Sequence, residues 1–205
     1  MKMFNFFLLL LSVLLITSCE DSSSIMSSGE EIVSSQYTFI ACEGNYGSSN
    51  GSIFIIDEFG NTSSMDDLGD VVQSVEVYDD KLFVIVNNSH LIKIYQITEE
   101  GLSLPGIEVS TGNSSPREMV IVNDKVYFTN WNSQDVKVLN LFNYSIESSI
   151  PVGIMPEDIV ADNNSIFVAN SGGTTISKID ISSNLVENIE VGEGPTALSI
   201  FNDYL

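Results

Sequence analysis

A repeated unit of about 40 residues constrains the fold of this chain more than any other feature. Residues 116–130 align position for position with residues 156–170, and each block begins with a proline. A turn containing Gly, Ser or Asn follows each block, and Pro195 comes 39 residues after Pro156. Units of this size bury their apolar surface by stacking on their neighbours, so the sequence predicts a repeat array.

Each unit contains about four short strands and shows no helical period. Val126, Tyr127 and Phe128, for example, form a run of β-branched and aromatic residues between turn residues. Short strands separated by turns at regular spacing indicate an all-β fold. Four strands in roughly 40 residues make one blade of a β-propeller. The sequence therefore predicts a β-propeller with about four four-stranded blades, at approximately residues 37–70, 71–115, 116–155 and 156–195, followed by a partial unit at 196–205.

One unit carries a more specific pattern, which reads Val-Gly, a proline, an apolar strand, a strand ending in Ala-Asn and a strand ending in Asp. The residues that form it are Val152, Gly153, Pro156, the segment Ile-Phe-Val-Ala-Asn at 166–170, Ile179 and Asp180. This pattern resembles the repeat of the YVTN or YncE-like β-propeller family. The resemblance extends over residues 71–205 and more weakly over 37–70. It implies a ring that usually has seven blades.

The last residues of the chain match the beginning of a unit. Residues 197–205 align with the first strand of a blade and the turn after it, without the strand that should return. We therefore expect a C-terminally truncated chain, or fragment, that forms an open arc of the ring. In the alternative, the terminal strand completes the first unit, which begins at its second strand, and closes a four-bladed ring.

The first 18 residues are typical of an export signal. A basic start is followed by an apolar run of about 13 residues, which is too short to span a bilayer. The segment Ile-Thr-Ser-Cys that ends at Cys19 resembles the lipobox of bacterial lipoproteins, which implies lipidation of Cys19. Residues 19–36 are rich in Ser and Glu and are expected to form a flexible tether. We expect a lipid-anchored protein of the bacterial envelope, at the outer membrane; the alternative is an ordinary secretory signal with an unmodified Cys19.

Composition excludes several classes of function. The chain has 28 Asp and Glu residues against 7 Lys and Arg, for a net charge of −21, and such a surface repels nucleic acid. With one histidine and two cysteines, no zinc cluster and no disulfide framework can be built, and no cofactor is predicted. Cys42 lies in an apolar stretch and is expected to be a small core residue.

Candidate ligand contacts lie on the loops that surround the channel mouth of a propeller. These loops join the second strand of a blade to the third, and the fourth strand to the first strand of the next blade. They carry the candidates Tyr46, His90, Arg117, Trp131, Asn130 and Asn170. Each has a structural alternative, because Trp131 can pack on a blade, His90 can end a strand, and Arg117 can pair with Glu118 or Glu157. The two asparagines are expected to hydrogen-bond the backbone at strand ends.

These observations favour a binding protein over an enzyme. No catalytic residue is assigned, since the chain has no nucleophile elbow and only one histidine. We expect a module that binds a small molecule, glycan or protein, with an outer-membrane transporter as a candidate partner. The alternatives are a lyase or hydrolase whose catalytic residues lie in missing blades, and a structural or adhesion protein of the envelope.

Overall fold

A computed structural model describes residues 36–201 of the chain. The predicted signal peptide, Cys19, nearly all of the tether and the predicted turn at 202–205 lie outside the described residues. Within these residues the secondary structure consists of β-strands and turns, with no helix. None of the described residues forms a helix long and apolar enough to cross a membrane.

Sixteen strands form four successive antiparallel sheets in the described part of the chain. The first sheet contains β1 (Tyr37–Cys42), β2 (Gly51–Asp57) and β3 (Thr62–Gly69). The second contains β4 (Val72–Tyr78), β5 (Lys81–Val86), β6 (Leu91–Thr98) and β8 (Ile107–Ser110), with the short β7 (Gly101–Leu102) also paired to β6. The third contains β9 (Pro116–Val122), β10 (Lys125–Asn130), β11 (Asp135–Asn140) and β12 (Ser145–Pro151). The fourth contains β13 (Pro156–Ala161), β14 (Ser165–Asn170), β15 (Thr175–Asp180) and β16 (Val186–Glu190).

The strands of each sheet follow one another in chain order, as in the blades of a propeller. Successive strands are joined by tight turns, so each sheet is an up-and-down meander. The first sheet has three strands in the described part of the chain, because β1 occupies the second position of a blade. The predicted all-β architecture of repeated blades is confirmed.

Three apolar clusters hold the blades together, and each lies between two successive sheets. Successive side chains of a strand point to opposite faces, so Leu82 and Val84 of β5 pack on the first blade. Phe83 and Ile85 of the same strand pack on Val126 of the third blade and its neighbours. The third cluster joins the third and fourth blades in the same way. Every inner blade is therefore buried on both faces.

The residues after β16 carry no strand pairing among the described residues. The Leu198 N–H donates to Asp158 Oδ2 of β13 at 2.5 Å, which places this segment beside the fourth blade. The first strand expected within residues 197–205 forms no ladder in its described part, residues 197–201. The segment has the position of that strand but no ladder, since no second strand lies next to it among residues 36–201. The four-blade closure would instead require it to pair with β1, whose described partner is β2 alone.

Candidate functional site

Seven loops form one end of the sheets, which we call the rim. The rim comprises residues 43–50, 70–71, 87–90, 111–115, 131–134, 152–155 and 171–174. Hydrogen bonds tie the loop after the second strand of a blade to the loop that precedes that blade. The N–H groups of Asn87, Trp131 and Ser171 donate to the carbonyls of residues 71, 115 and 155, at 2.8, 3.0 and 3.0 Å. The same hydrogen bond recurs in three blades and ties neighbouring rim loops together.

Polar side chains from three blades meet just below the rim, on the innermost strands. Gln73, Arg117 and Glu157 are the second residues of β4, β9 and β13, and we call them the inner polar row. Arg117 Nη2 and Nε donate to Glu157 Oε1 at 2.6 and 3.1 Å, and Nη1 donates to Gln73 Oε1 at 2.6 Å. The side chains of Arg117 and Glu157 are each 17% exposed. One guanidinium therefore links three successive blades.

Trp131 covers this guanidinium from the rim. The Arg117 Cζ lies 4.1 Å from the centroid of the Trp131 ring, a cation–π geometry. Trp131 Nε1 is enclosed, and it is the one buried side-chain N or O atom for which residues 36–201 provide no hydrogen-bond partner. Arg117 was expected on a loop but lies in β9, because the ladder with β10 already begins at Pro116. Of the two partners that the structural alternative offered, Glu118 and Glu157, Arg117 pairs with Glu157.

Glu118, the next residue of β9, has an altered acidity. Burial raises its pKa from 4.5 to about 7, hydrogen bonds from Gln73 and Ser74 oppose this rise, and the charges of Asp158 and Glu157 add to it. Its backbone N–H donates to Thr129 Oγ1 at 3.1 Å, which holds the strand in place. A carboxyl group that changes its charge near neutral pH therefore lies beside the inner polar row.

Asn130 and Asn170 are buried completely and use their amide groups inside the protein. Asn130 Nδ2 donates to the Phe128 carbonyl at 2.9 Å, and its Oδ1 accepts from the Ser114 hydroxyl at 2.5 Å. Asn170 Oδ1 accepts from the Gly153 N–H at 3.0 Å, and its Nδ2 donates to two hydroxyls of β15. Both side chains fasten a strand end to the preceding loop, and neither presents surface on the rim.

His90 and Tyr46 lie on other rim loops. His90 Nδ1 accepts from the Ser115 N–H at 3.1 Å, so one ring nitrogen is engaged in holding the loop before β9. Tyr46 is 80% exposed in the loop between β1 and β2. The neighbouring Gly47 N–H donates to both carboxylate oxygens of Asp70, at 2.9 and 3.0 Å. Of the six sequence candidates, Arg117 and Trp131 are the two in direct contact.

Several polar residues that complete this arrangement were not predicted from the sequence. Gln73 and Asp70 were not among the candidates, and Glu157 appeared only as a partner of Arg117. The repeat contained a usable signal, because Gln73, Arg117 and Glu157 occupy the same position in three successive units. When the same position of the innermost strand is polar in successive units, the side chains are predicted to lie together around the central axis of the propeller.

A separate cavity of about 190 Å³ lies at the opposite end of the sheets. It is lined by Tyr78, Asp79, Lys81, Phe83, Asp124, Leu141, Phe142 and Tyr144. The Tyr78 hydroxyl donates to Asp124 Oδ1 at 3.2 Å across two blades. In the part of the chain that the structure describes, no group of three or more His, Cys, Asp or Glu side chains is placed to hold a metal ion. Cys42 is half-buried on β1, so it is only partly the core residue that was expected.

Comparison with known proteins identifies similarity at the level of the fold. No family model matches the chain, and no curated protein matches it. Among solved structures, streptogramin B lyase is similar over 77% of this chain and 59% of its own, with 14% identity and a TM-score of 0.59. The dihydro-heme d1 dehydrogenase NirN is similar over 80% of this chain and 38% of its own, with 16% identity and a TM-score of 0.61.

A protein from Lactobacillus plantarum is similar over 82% of this chain and 55% of its own, with 15% identity and a TM-score of 0.61. The chain thus spans between 38% and 59% of the length of these three structures. Identities this low establish the fold alone. Together with the four stacked meanders, they show that the described residues are blades of a β-propeller.

Proposed function

We propose that the chain is a lipid-anchored extracytoplasmic binding protein of the YVTN or YncE-like propeller type, which holds a hydroxyl-rich ligand such as a glycan at its rim. The contact between Trp131 and Arg117 carries this proposal, because it combines an aromatic face and a fixed polar group at one place. Tryptophan and arginine are the residue types that most often dominate binding energy at protein surfaces. An outer-membrane transporter is a fitting partner for such a module.

The polar groups around Arg117 favour a ligand that donates hydrogen bonds. Gln73 and Glu157 already accept from Arg117, and their side-chain oxygens retain further acceptor capacity. Hydroxyl groups of a glycan can donate to these oxygens while a sugar ring lies against the indole. An anionic ligand is disfavoured by the net charge of −21.

The single tryptophan of the chain makes the ligand proposal directly testable, since Trp131 is the only indole fluorophore. Neutral oligosaccharides should be titrated against the protein while its tryptophan emission is recorded. We expect at least one sugar to change the emission, and Arg117→Ala to weaken its binding by about tenfold or more, as loss of a central contact does. Lys81→Gln, at the opposite end of the blades, should leave the affinity unchanged. Sugar binding that neither alters the emission nor depends on Arg117 would place the ligand elsewhere and contradict the proposal.

The lipid anchor is tested separately. Two or more acyl chains on Cys19 make release from a membrane negligible, because each buried methylene contributes about 0.8 kcal/mol. Cys19→Ala should move the protein from the membrane fraction to the soluble fraction of the envelope. Continued membrane association of this variant would rule out acylation of Cys19 as the anchor.

One observation favours a second function, that of a lyase or hydrolase. A carboxyl group with a pKa of about 7, such as that of Glu118, can take up and release a proton at neutral pH. In an enzyme of this type, Glu118→Gln would abolish turnover of a bound substrate without loss of its binding. In a binding protein, Glu118→Gln would retain its affinity for the ligand. Neither this variant nor the native protein would then form a product.

A further inference from the structure

The cavity at the end of the sheets opposite the rim lies between the second and third blades. Residues that line it come from the turns between β4 and β5, between β9 and β10 and between β11 and β12. Each of the two blades packs on a neighbouring blade through both of its faces. The cavity therefore belongs to the interior of the blade array and is separate from the rim.

The lining of the cavity is rich in aromatic side chains. Phe83, on its inner side, is fully buried in the apolar cluster between the two blades. Tyr78 and Tyr144 are half-buried and pack against the same cluster. Phe142 lines the cavity on the solvent side, and its side chain is 89% exposed. A ligand in the cavity would cover aromatic surface that is otherwise in contact with water.

Hydrogen bonds hold the turns of the third blade in place around the cavity. Asn140 Oδ1 accepts from the Phe142 N–H at 2.7 Å, and the Asn140 carbonyl accepts from the Tyr144 N–H at 2.9 Å. The Leu141 N–H donates to the Asp124 carbonyl at 3.1 Å, which ties the two turns of this blade to each other. Phe142 and Asp124 are thus positioned before any ligand arrives.

The mouth of the cavity carries negative charge. Asp79 and Asp124 line it and are exposed, and neither forms a salt bridge within residues 36–201. Lys81 also lines the cavity, but its Nζ is paired with Asp80 Oδ1 at 2.7 Å. The charge of Asp124 raises the pKa of Tyr78, whose hydroxyl donates to Asp124 Oδ1 at 3.2 Å. Negative potential therefore extends over the aromatic wall, where it attracts cations and repels anions.

We propose that this cavity binds a small organic ammonium ion of the choline type, with its methyl groups against the aromatic side chains and its charge near Asp79 and Asp124. Cations are attracted to the faces of aromatic rings, and aromatic sites recognise quaternary ammonium groups in this way. The volume of about 190 Å³ limits the ligand to a small one. A metal ion fits less well, because the described part of the chain places no group of three or more His, Cys, Asp or Glu side chains together.

Isothermal titration calorimetry of the full chain with choline chloride tests the site. Two compounds separate the contributions of charge and shape. The uncharged alcohol in which carbon replaces the ammonium nitrogen of choline keeps the shape, and ammonium chloride keeps the charge without the methyl groups. We expect choline to bind and both of these compounds to bind more weakly.

Matched variants assign the binding to this cavity. We expect Phe142→Ala and Asp124→Asn each to weaken choline binding by about two- to fivefold, as loss of one aromatic face or one carboxylate at a surface does. Phe59 is 82% exposed on the equivalent turn of the first blade, where its N–H donates to Asp57 Oδ1 at 2.9 Å. Phe59→Ala and the neighbouring Glu58→Gln, which removes the same charge as Asp124→Asn, should leave choline binding unchanged.

The same cation exists as free choline and as the headgroup of phosphatidylcholine. Cosedimentation with phosphatidylcholine vesicles distinguishes the two sources when the Cys19→Ala protein is used, because this variant has no site for an acyl anchor. Cosedimentation that is lost with Phe142→Ala would assign the lipid headgroup. Binding of choline without cosedimentation would assign the free solute.

Three results would contradict the proposal. The first is the absence of both choline binding and cosedimentation for a protein that is folded by circular dichroism. The second is equal affinity for choline and its uncharged analogue. The third is choline binding that Phe142→Ala and Asp124→Asn leave unchanged; a change in Trp131 emission would then place the cation at the rim.

Discussion

Arg117 and Glu157 join the innermost strands of two successive blades, with Arg117 Nη2 2.6 Å from Glu157 Oε1. They occupy the same position of the repeat, 40 residues apart. The pair is half-buried, and the guanidinium also bonds Gln73 of the preceding blade. The same guanidinium therefore joins three stacked blades and fixes the polar groups that lie just below the rim.

We expect Arg117→Leu to lower the free energy of unfolding by about 1–3 kcal/mol, because the half-buried Glu157 would lose its counter-charge. Urea denaturation at neutral pH measures this change. The matched control is Lys81→Met, which removes the ion pair with Asp80 at the surface and should cost less than about 0.5 kcal/mol. Equal effects of the two substitutions would show that the Arg117 pair contributes no more than an exposed one.

Glu118 makes stability depend on pH in a defined direction. Its pKa in the folded protein is about 7, above the ordinary 4.5, so the folded state retains the proton over a range in which the unfolded state releases it. The stabilisation from this group is complete below pH 4.5 and is lost as the pH rises through 7. Glu118→Gln should therefore gain stability relative to the native chain between about pH 4.5 and 8. Urea midpoints across this range test it, and Glu58→Gln on an exposed turn should run parallel to the native chain.

Gly153 explains the Val-Gly element of the repeat. A Cβ at Gly153 would collide with the side chain of Asn170, whose Oδ1 accepts from the Gly153 N–H. Gly153→Ala should displace Asn170 and lower the free energy of unfolding by about 1–3 kcal/mol. Gly192, its equivalent in the next unit, has open space where a Cβ would lie, so Gly192→Ala should be close to neutral. Similar thermal midpoints for the two variants would exclude the proposed role of the close contact.

Asn130 is expected to matter for folding more than for ligand contact. Asn130→Ala would leave the buried Ser114 hydroxyl without its acceptor and should cost about 2–3 kcal/mol. Asn132→Ala, two residues further along the rim loop, removes one exposed bond to the Asn113 carbonyl and should cost less than about 0.5 kcal/mol. Chemical denaturation compares them directly, and a stable Asn130→Ala protein would contradict this assignment.

The number of blades, the positions of most strands and the turns between them follow from the sequence, because these features are local. A continuous run of apolar residues such as Leu82 to Val86 predicts a strand buried on both faces, and Asn, Asp and Gly mark where strands end. The repeat at 116–130 and 156–170 then requires similar blades that stack. These properties depend only on residues close together in the chain.

The tertiary structure alone decided which side chains meet. Gln73, Arg117 and Glu157 lie 40 or more residues apart, and only the stacking of three blades around an axis brings them into contact. The same stacking buries Asn130, encloses one edge of Trp131 and places Leu198 against β13 rather than β1. The two-residue period of a strand determines on which face of its sheet a side chain lies. The residue that packs against that side chain belongs to another blade, so the period alone does not identify it.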